Sequence, residues 1–144
     1  MTKTKNIFLA EDDEDDQQFF IEAVKKIDNF ICIYVANNGV EALAKLNNML
    51  VLPDLIFMDI NMPLMNGFEC LTQLKRKIRF KNIPVVILTT SNNRSEKELA
   101  KVLGANFFLS KLSDFSLCIR NITDMLNLNF SPIMKKCINT YKHI

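Results

Sequence analysis

Acidic, hydroxyl and ammonium side chains sit in this chain where apolar runs stop. The run Ile7–Ala10 leads into Glu11-Asp12-Asp13-Glu14-Asp15-Asp16, and Leu55–Met58 leads into Asp59 and then Asn61. Val85–Leu88 is followed by Thr89, Thr90 and Ser91, and Phe107–Leu109 by Ser110 and Lys111. Open α/β sheets bind ligands outside the carboxyl ends of their strands. If these runs are parallel neighbours, three carboxylates, a hydroxyl and an ammonium meet on one rim. Crowded carboxylates repel, so one takes up a proton unless a cation is present. A hard divalent ion such as Mg²⁺ suits one or two carboxylates together with waters and phosphate oxygens. A carboxylate not committed to the metal can act as a nucleophile and form an acyl phosphate. A lysine and a hydroxyl beside it can hold the phosphoryl oxygens. The cluster therefore reads as a site for phosphoryl transfer onto a carboxylate.

Each residue alone has a plainer reading. Six acids in a row also make a solvated face with favourable charge at a helix N-terminus. Asp59 also suits a cap, Thr89 a strand end, and Lys111 the surface. It is the joint placement on separate strand ends that points to a site.

The elements that would position these groups follow from patterning. Between the apolar runs lie helical periodicities: Phe20, Ala23, Val24 and Ile27 in one stretch, and Val40, Leu43, Leu46 and Leu50 as a buried stripe in the next. Phe30–Val35 reads as the second of five strands. Asn38 with Glu41, Asn66 with Glu69, and Ser95 with Glu98 mark helix starts, the third helix running to about Arg79 and the fourth ending near Gly104. Asp114 to about Leu126 is a fifth helix. Five β-then-α units predict an α/β domain with a parallel sheet covered on both faces.

The bulk numbers set limits. A length of 144 residues suits one domain, and 49% apolar with 24% charged residues supports a real core. A net charge of +2 speaks against direct nucleic-acid binding. The four cysteines show no C-x-x-C spacing, which disfavours zinc or redox motifs and leaves reduced, mostly buried thiols. No stretch has the length of a signal peptide core or a spanning helix, so the expectation is a cytoplasmic protein without membrane insertion. Residues 1–128 form the expected domain and 129–144 an extension. There Ser131-Pro132 opens a short amphipathic helix with Ile133, Met134, Cys137, Ile138 and Tyr141 on one side. That helix either packs back on the domain or serves as a docking or dimer surface.

The motifs Phe8-Leu9-Ala10-Glu11-Asp12-Asp13, Phe57-Met58-Asp59-Ile60-Asn61-Met62-Pro63 with Asn66-Gly67, Ile87-Leu88-Thr89-Thr90, and Gly104 through Lys111 stand in this order over about Asn6 to Leu128. In them the chain resembles the receiver domains of two-component response regulators, of the chemotaxis type. The resemblance implies a flavodoxin-like, doubly wound five-stranded parallel sheet of order 2-1-3-4-5 with five helices, to which the short C-terminal helix is added. It implies Asp59 as phosphoacceptor, with Mg²⁺ held by Glu11, Asp12, Asp59 and the Asn61 backbone carbonyl. Thr89 and Lys111 would bind the phosphoryl group, and Phe108 matches an aromatic switch position, though a core phenylalanine is an equal reading. Thr90, Asn61 and Ser91 would modulate rates. Three positions depart from the family pattern. Glu11 replaces the commoner Asp, Thr90 stands where a smaller residue is usual, and Leu112 replaces a proline that follows the lysine with a cis bond. A cis bond before a residue other than proline costs roughly 3–4 kcal/mol, so the departure raises the expectation of a trans bond and a displaced Lys111.

The expected function is a stand-alone receiver that takes a phosphoryl group onto Asp59 from a histidine kinase or histidine phosphotransfer protein. It then switches an interaction face toward a downstream protein target. Such a switch is no enzyme beyond catalysing its own phosphorylation and dephosphorylation. The one histidine, His143, is second from the end, which favours a donor on another protein. A receiver-like scaffold working without phosphorylation is the alternative. A small-substrate phosphatase is a third, weakened because Asn61 stands where such enzymes place a second acid.

Overall fold

Strands that are apolar at every position need cover on both faces, and the computed structural model shows that arrangement. It describes residues 4–90, 93–111 and 115–127. The elements are β1 (Asn6–Ala10), α1 (Glu14–Ile27), β2 (Cys32–Ala36), α2 (Gly39–Asn48), β3 (Leu55–Asp59), α3 (Gly67–Arg76), β4 (Val85–Thr89), α4 (Arg94–Val102), β5 (Phe107–Ser110) and α5 (Phe115–Asn127). All pairs are parallel and the order is β2-β1-β3-β4-β5, the flavodoxin-like topology expected. Ser91, Leu112 and the whole extension, with its amphipathic helix, lie outside the described residues. No helix among the described residues is long and apolar enough to cross a membrane.

Successive residues of a strand face opposite sides of the sheet, so one strand feeds two cores. Phe8, Ile56, Met58 and Ile87 pack with Leu46 and Leu71 of α2 and α3. Leu9, Phe57 and Val86 pack with Phe20 of α1 and with Ile122 and Met125 of α5. Phe20 and Phe57 meet edge to face at 4.8 Å. The central strand β3 is buried throughout, whereas the edge strand β2 alternates between exposed and half-buried until Ala36.

Helix ends follow the capping rules. Asn38 accepts from the Glu41 N–H at 2.8 Å, and Asn66 with Glu69 forms a full capping box. Gly104 takes φ 103° and closes α4, with its N–H donating to Lys101 and the Ala105 N–H to Ala100, the paired bonds of a glycine-terminated helix.

The structure corrects four expectations. The second strand begins at Cys32, because Asp28 accepts from the Phe30 N–H in a turn that leaves Phe30 91% exposed. In α2 the buried positions are Gly39, Ala42 and Leu46; Val40 and Leu50 face outward, Leu50 lying beyond the helix end at Asn48. The third helix stops at Arg76 rather than Arg79, since the N–H groups of Phe80 and Lys81 turn back onto the Lys77 carbonyl and bury Phe80. Asn93, not Ser95, caps α4 by accepting from the Ser95 N–H at 2.8 Å.

The free side of β2 is partly closed by lysines. Lys25 Nζ donates to the Ile31 carbonyl at 2.5 Å and Lys45 Nζ to the Val35 carbonyl at 2.6 Å.

Candidate functional site

The rim at the carboxyl ends of β1, β3, β4 and β5 gathers the residues that sequence patterning marked. Glu11 continues β1 by one residue, its N–H donating to the Ala36 carbonyl at 2.9 Å. Asp13 leaves the strand direction and caps α1, accepting from the Asp16 N–H at 3.0 Å. Asp12 lies between them, exposed at the mouth. Asp59 is the last residue of β3, 6% exposed, and its Oδ1 accepts from the Ile60 N–H at 2.8 Å.

Carboxylate oxygens of Glu11, Asp12 and Asp59 come within 4.8 Å of one another. Lys111 answers part of that charge: its Nζ is 2.5 Å from Glu11 Oε1, 2.9 Å from Asp16 Oδ2 and 3.3 Å from Asp59 Oδ2. Four carboxylates, two of them buried, against one ammonium leave net negative charge, with oxygen donors alone. That donor set fits a hard divalent cation.

The electrostatics agree with this. Burial raises the Glu11 carboxyl from its ordinary value to about 7, and the Asp59 charge pushes the same way against the opposing pull of Lys111. For Lys111, burial alone would favour the neutral amine, but hydrogen bonds to Glu11 and Asp16 and the Asp59 charge outweigh it and hold the ammonium.

Two backbone features fix Asp59. The Gly67 N–H donates to the Ile60 carbonyl at 2.8 Å. A Cβ on Gly67 would sit 2.2 Å from the Asp59 carbonyl oxygen, so only glycine allows α3 to start this close to the strand end. Between them the chain makes a tight turn at Leu64, φ 68°, with the Met65 N–H donating to the Pro63 carbonyl at 2.7 Å.

The other marked residues fall as follows. Thr89 ends β4, fully buried, with Ser110 as its strand partner, and its carbonyl accepts from the Lys111 N–H at 2.7 Å. Asn61 and Thr90 are exposed on the loops leaving β3 and β4. Phe108 is buried on the α4 side of the sheet, with Lys97 Nζ 5.9 Å from its ring centre. Lys111 does reach the acids, and Leu112 lies outside the described residues. Sequence reading placed Asp16 in the acidic run but missed its ion pair with Lys111. The only available signal was its position three residues past the cap at Asp13, in the first turn of α1.

Residues 7–123 match the protein family described as response regulator receiver domain. The chain is similar to the response regulator Rcp1 of Synechocystis sp., at 30% identity over 86% of this chain and 83% of that protein. It is also similar to the probable transcriptional regulator ycf29 of Pyropia yezoensis, at 40% identity over 61% of this chain but 39% of that protein's length. Among solved structures, the Mn²⁺-bound form of Rcp1 superposes with a TM-score of 0.79, at 28% identity, covering 89% of this chain and 99% of that one.

Proposed function

Because the chain belongs to the response regulator receiver domain family, a family of signalling switches in two-component systems, we propose that Asp59 is its phosphoacceptor. The observation that carries this reading is the meeting of Glu11, Asp12 and Asp59 within 4.8 Å beside the Lys111 ammonium. Receiver domains act with histidine kinases and downstream targets, and a phosphohistidine on a kinase or phosphotransfer protein is the proposed donor here. An Asp59 carboxylate oxygen attacks phosphorus, forming an O–P bond as the N–P bond breaks, and the imidazole leaves with that electron pair and takes a proton from water.

Glu11, Asp12, Asp59 and the Asn61 carbonyl are the proposed holders of Mg²⁺, and Rcp1, a relative, has a structure with Mn²⁺ bound. When bound, the ion supplies positive charge against the incoming phosphoryl oxygens. Glu11, whose carboxyl burial raises to about 7 without the ion, would have to be deprotonated to hold it. Lys111 exchanges its contact with Asp59 for the phosphoryl oxygens, and the Thr89 hydroxyl donates to them. Because the Lys111 N–H is bonded to the Thr89 carbonyl, the two residues move together. Phe108, packed under Lys97 of α4, carries that shift to the surface of α4, β5 and α5. Water attack on phosphorus resets the domain, with Asn61 and Thr90 bordering its path and Ser91 a further modulator of the rate.

Incubation with Mg²⁺ and a small phosphodonor such as acetyl phosphate should add one phosphoryl group, and Asp59→Asn should abolish labelling. Absence of labelling on the unaltered protein with any donor would sink the proposal. Unchanged partner affinity in Asp59→Asn would favour the phosphorylation-independent scaffold instead.

A further inference from the structure

The end of the domain opposite the acidic rim carries large apolar side chains that the core does not use. Phe30, Leu50, Val51 and Ile78 are 91%, 98%, 69% and 84% exposed. They stand on the loops that enter β2, β3 and β4, so the parallel sheet delivers all four to the edge where its strands begin. Arg79 ties the loop that carries Ile78 to the end of α2, donating to the Asn47 carbonyl at 3.0 Å and to the Met49 carbonyl. Single exposed apolar residues are ordinary. Four of this size, crowded into three loops at one edge, are not.

The charge around them is basic. Lys26 and Arg76 belong to the last turns of α1 and α3, where the helix dipole accounts for them. Arg79 serves the C-terminal carbonyls of α2, while Lys5 and Lys81 lie outside the helices and answer no dipole. Asp54, which accepts from the N–H groups of Lys5 and Asn6, Asp28, which accepts from that of Phe30, and Asp124 in the last turn of α5 share this edge, three acids against those five bases.

We propose that this edge docks on an anionic lipid bilayer, with the loop tips in the headgroup layer and the basic side chains against the lipid charge. The tips belong to three separate loops. A fluid interface accepts each one on its own, whereas a protein partner would need a fitted pocket for each. Residues 128–144 lie outside the described residues and enter here by sequence alone. They follow α5, whose last turn lies at this edge because the Thr4 hydroxyl donates to the Leu126 carbonyl at 3.1 Å. Their sequence carries Lys135, Lys136 and Lys142 and no acid. That charge suits the same anionic surface.

The full chain should float with vesicles of phosphatidylserine in phosphatidylcholine about tenfold more than with phosphatidylcholine alone, and added salt should release it. Leu50→Ser with Ile78→Ser should cut flotation about tenfold, and Lys81→Gln about fivefold. Unfolding midpoints should match the unaltered protein, because these side chains are solvent-exposed. Equal partitioning onto both vesicle types, or none at low salt, overturns the proposal. So does a serine pair that floats as well as the unaltered protein, since another region must then make the contact.

Discussion

The two ends of the sheet are charged oppositely by one rule and used differently. Parallel strands force their helices to run one way, so helix N-termini share one end and C-termini the other. First turns carry Glu14, Asp15 and Asp16 in α1, Glu41 in α2, Glu69 in α3 and Glu96 in α4; last turns carry Lys25, Lys26, Lys45, Lys75, Arg76 and Lys101. Each charge complements a dipole and is worth a few tenths to about 1 kcal/mol. At the acidic end two further carboxylates, Glu11 and Asp59, are drawn under the surface to 2% and 6% exposure. At the basic end Arg76 and Lys81 stay in solvent. Solvated charges of the second kind cost nothing to hold, while buried like charges store repulsion that a cation or a proton relieves. The lesson is that burial, more than sign, separates a reactive cluster from a solvated one.

That contrast breaks most visibly at Gly67. Gly67→Ala places a methyl 2.2 Å from the Asp59 carbonyl oxygen, against backbone that cannot swing aside. It should cost about 3 kcal/mol in urea denaturation and slow phosphorylation as Asp59 is displaced. An alanine variant with unchanged stability and labelling would show that the acidic end tolerates slack.

A smaller effect comes from pH. With its carboxyl raised from 4.5 to about 7 in the fold, Glu11 keeps its proton more firmly folded than unfolded. Its contribution is complete below about 4.5 and is lost as pH climbs through about 7. Metal-free protein should therefore lose roughly 2 kcal/mol over that span, and Mg²⁺ should flatten the decline. Glu11→Gln should flatten it as well. A slope indifferent to both would show that burial of this acid carries no penalty. The smallest effect belongs to the basic end, where Arg76→Gln and Lys81→Gln should each change unfolding free energy by under about 0.5 kcal/mol.

Much of this was legible in the sequence because β1, β3, β4 and β5 are short, continuously apolar and end in polar residues, so one rule about strand ends located Glu11, Asp12, Asp59, Thr89 and Lys111 together. Asn38, Asn66 and Gly104 were legible as local capping signals. Less legible were features that depend on how elements sit against each other. Val40 fits the helical period of α2, but the burial goes to Gly39 and Ala42, where the helix lies close to its neighbours. Arg79 looked helical because nothing in its type reveals that Phe80 must turn inward. Asp16 reaches Lys111 across 95 residues of sequence, a contact set by the rotation of α1 over the sheet.

The lysines on β2 have a consequence of their own. Cys32 donates to Lys5 and Ala36 accepts from Glu11, so even-numbered residues of that strand bond inward, while Ile33 and Val35 turn their peptide groups outward. With the Ile31 and Val35 carbonyls already taken by ammonium groups, the second of them paired with Glu41, an approaching foreign strand finds two of the outward carbonyls along this strand occupied. Occupied carbonyls of this kind make that flank a poorer template for strand addition.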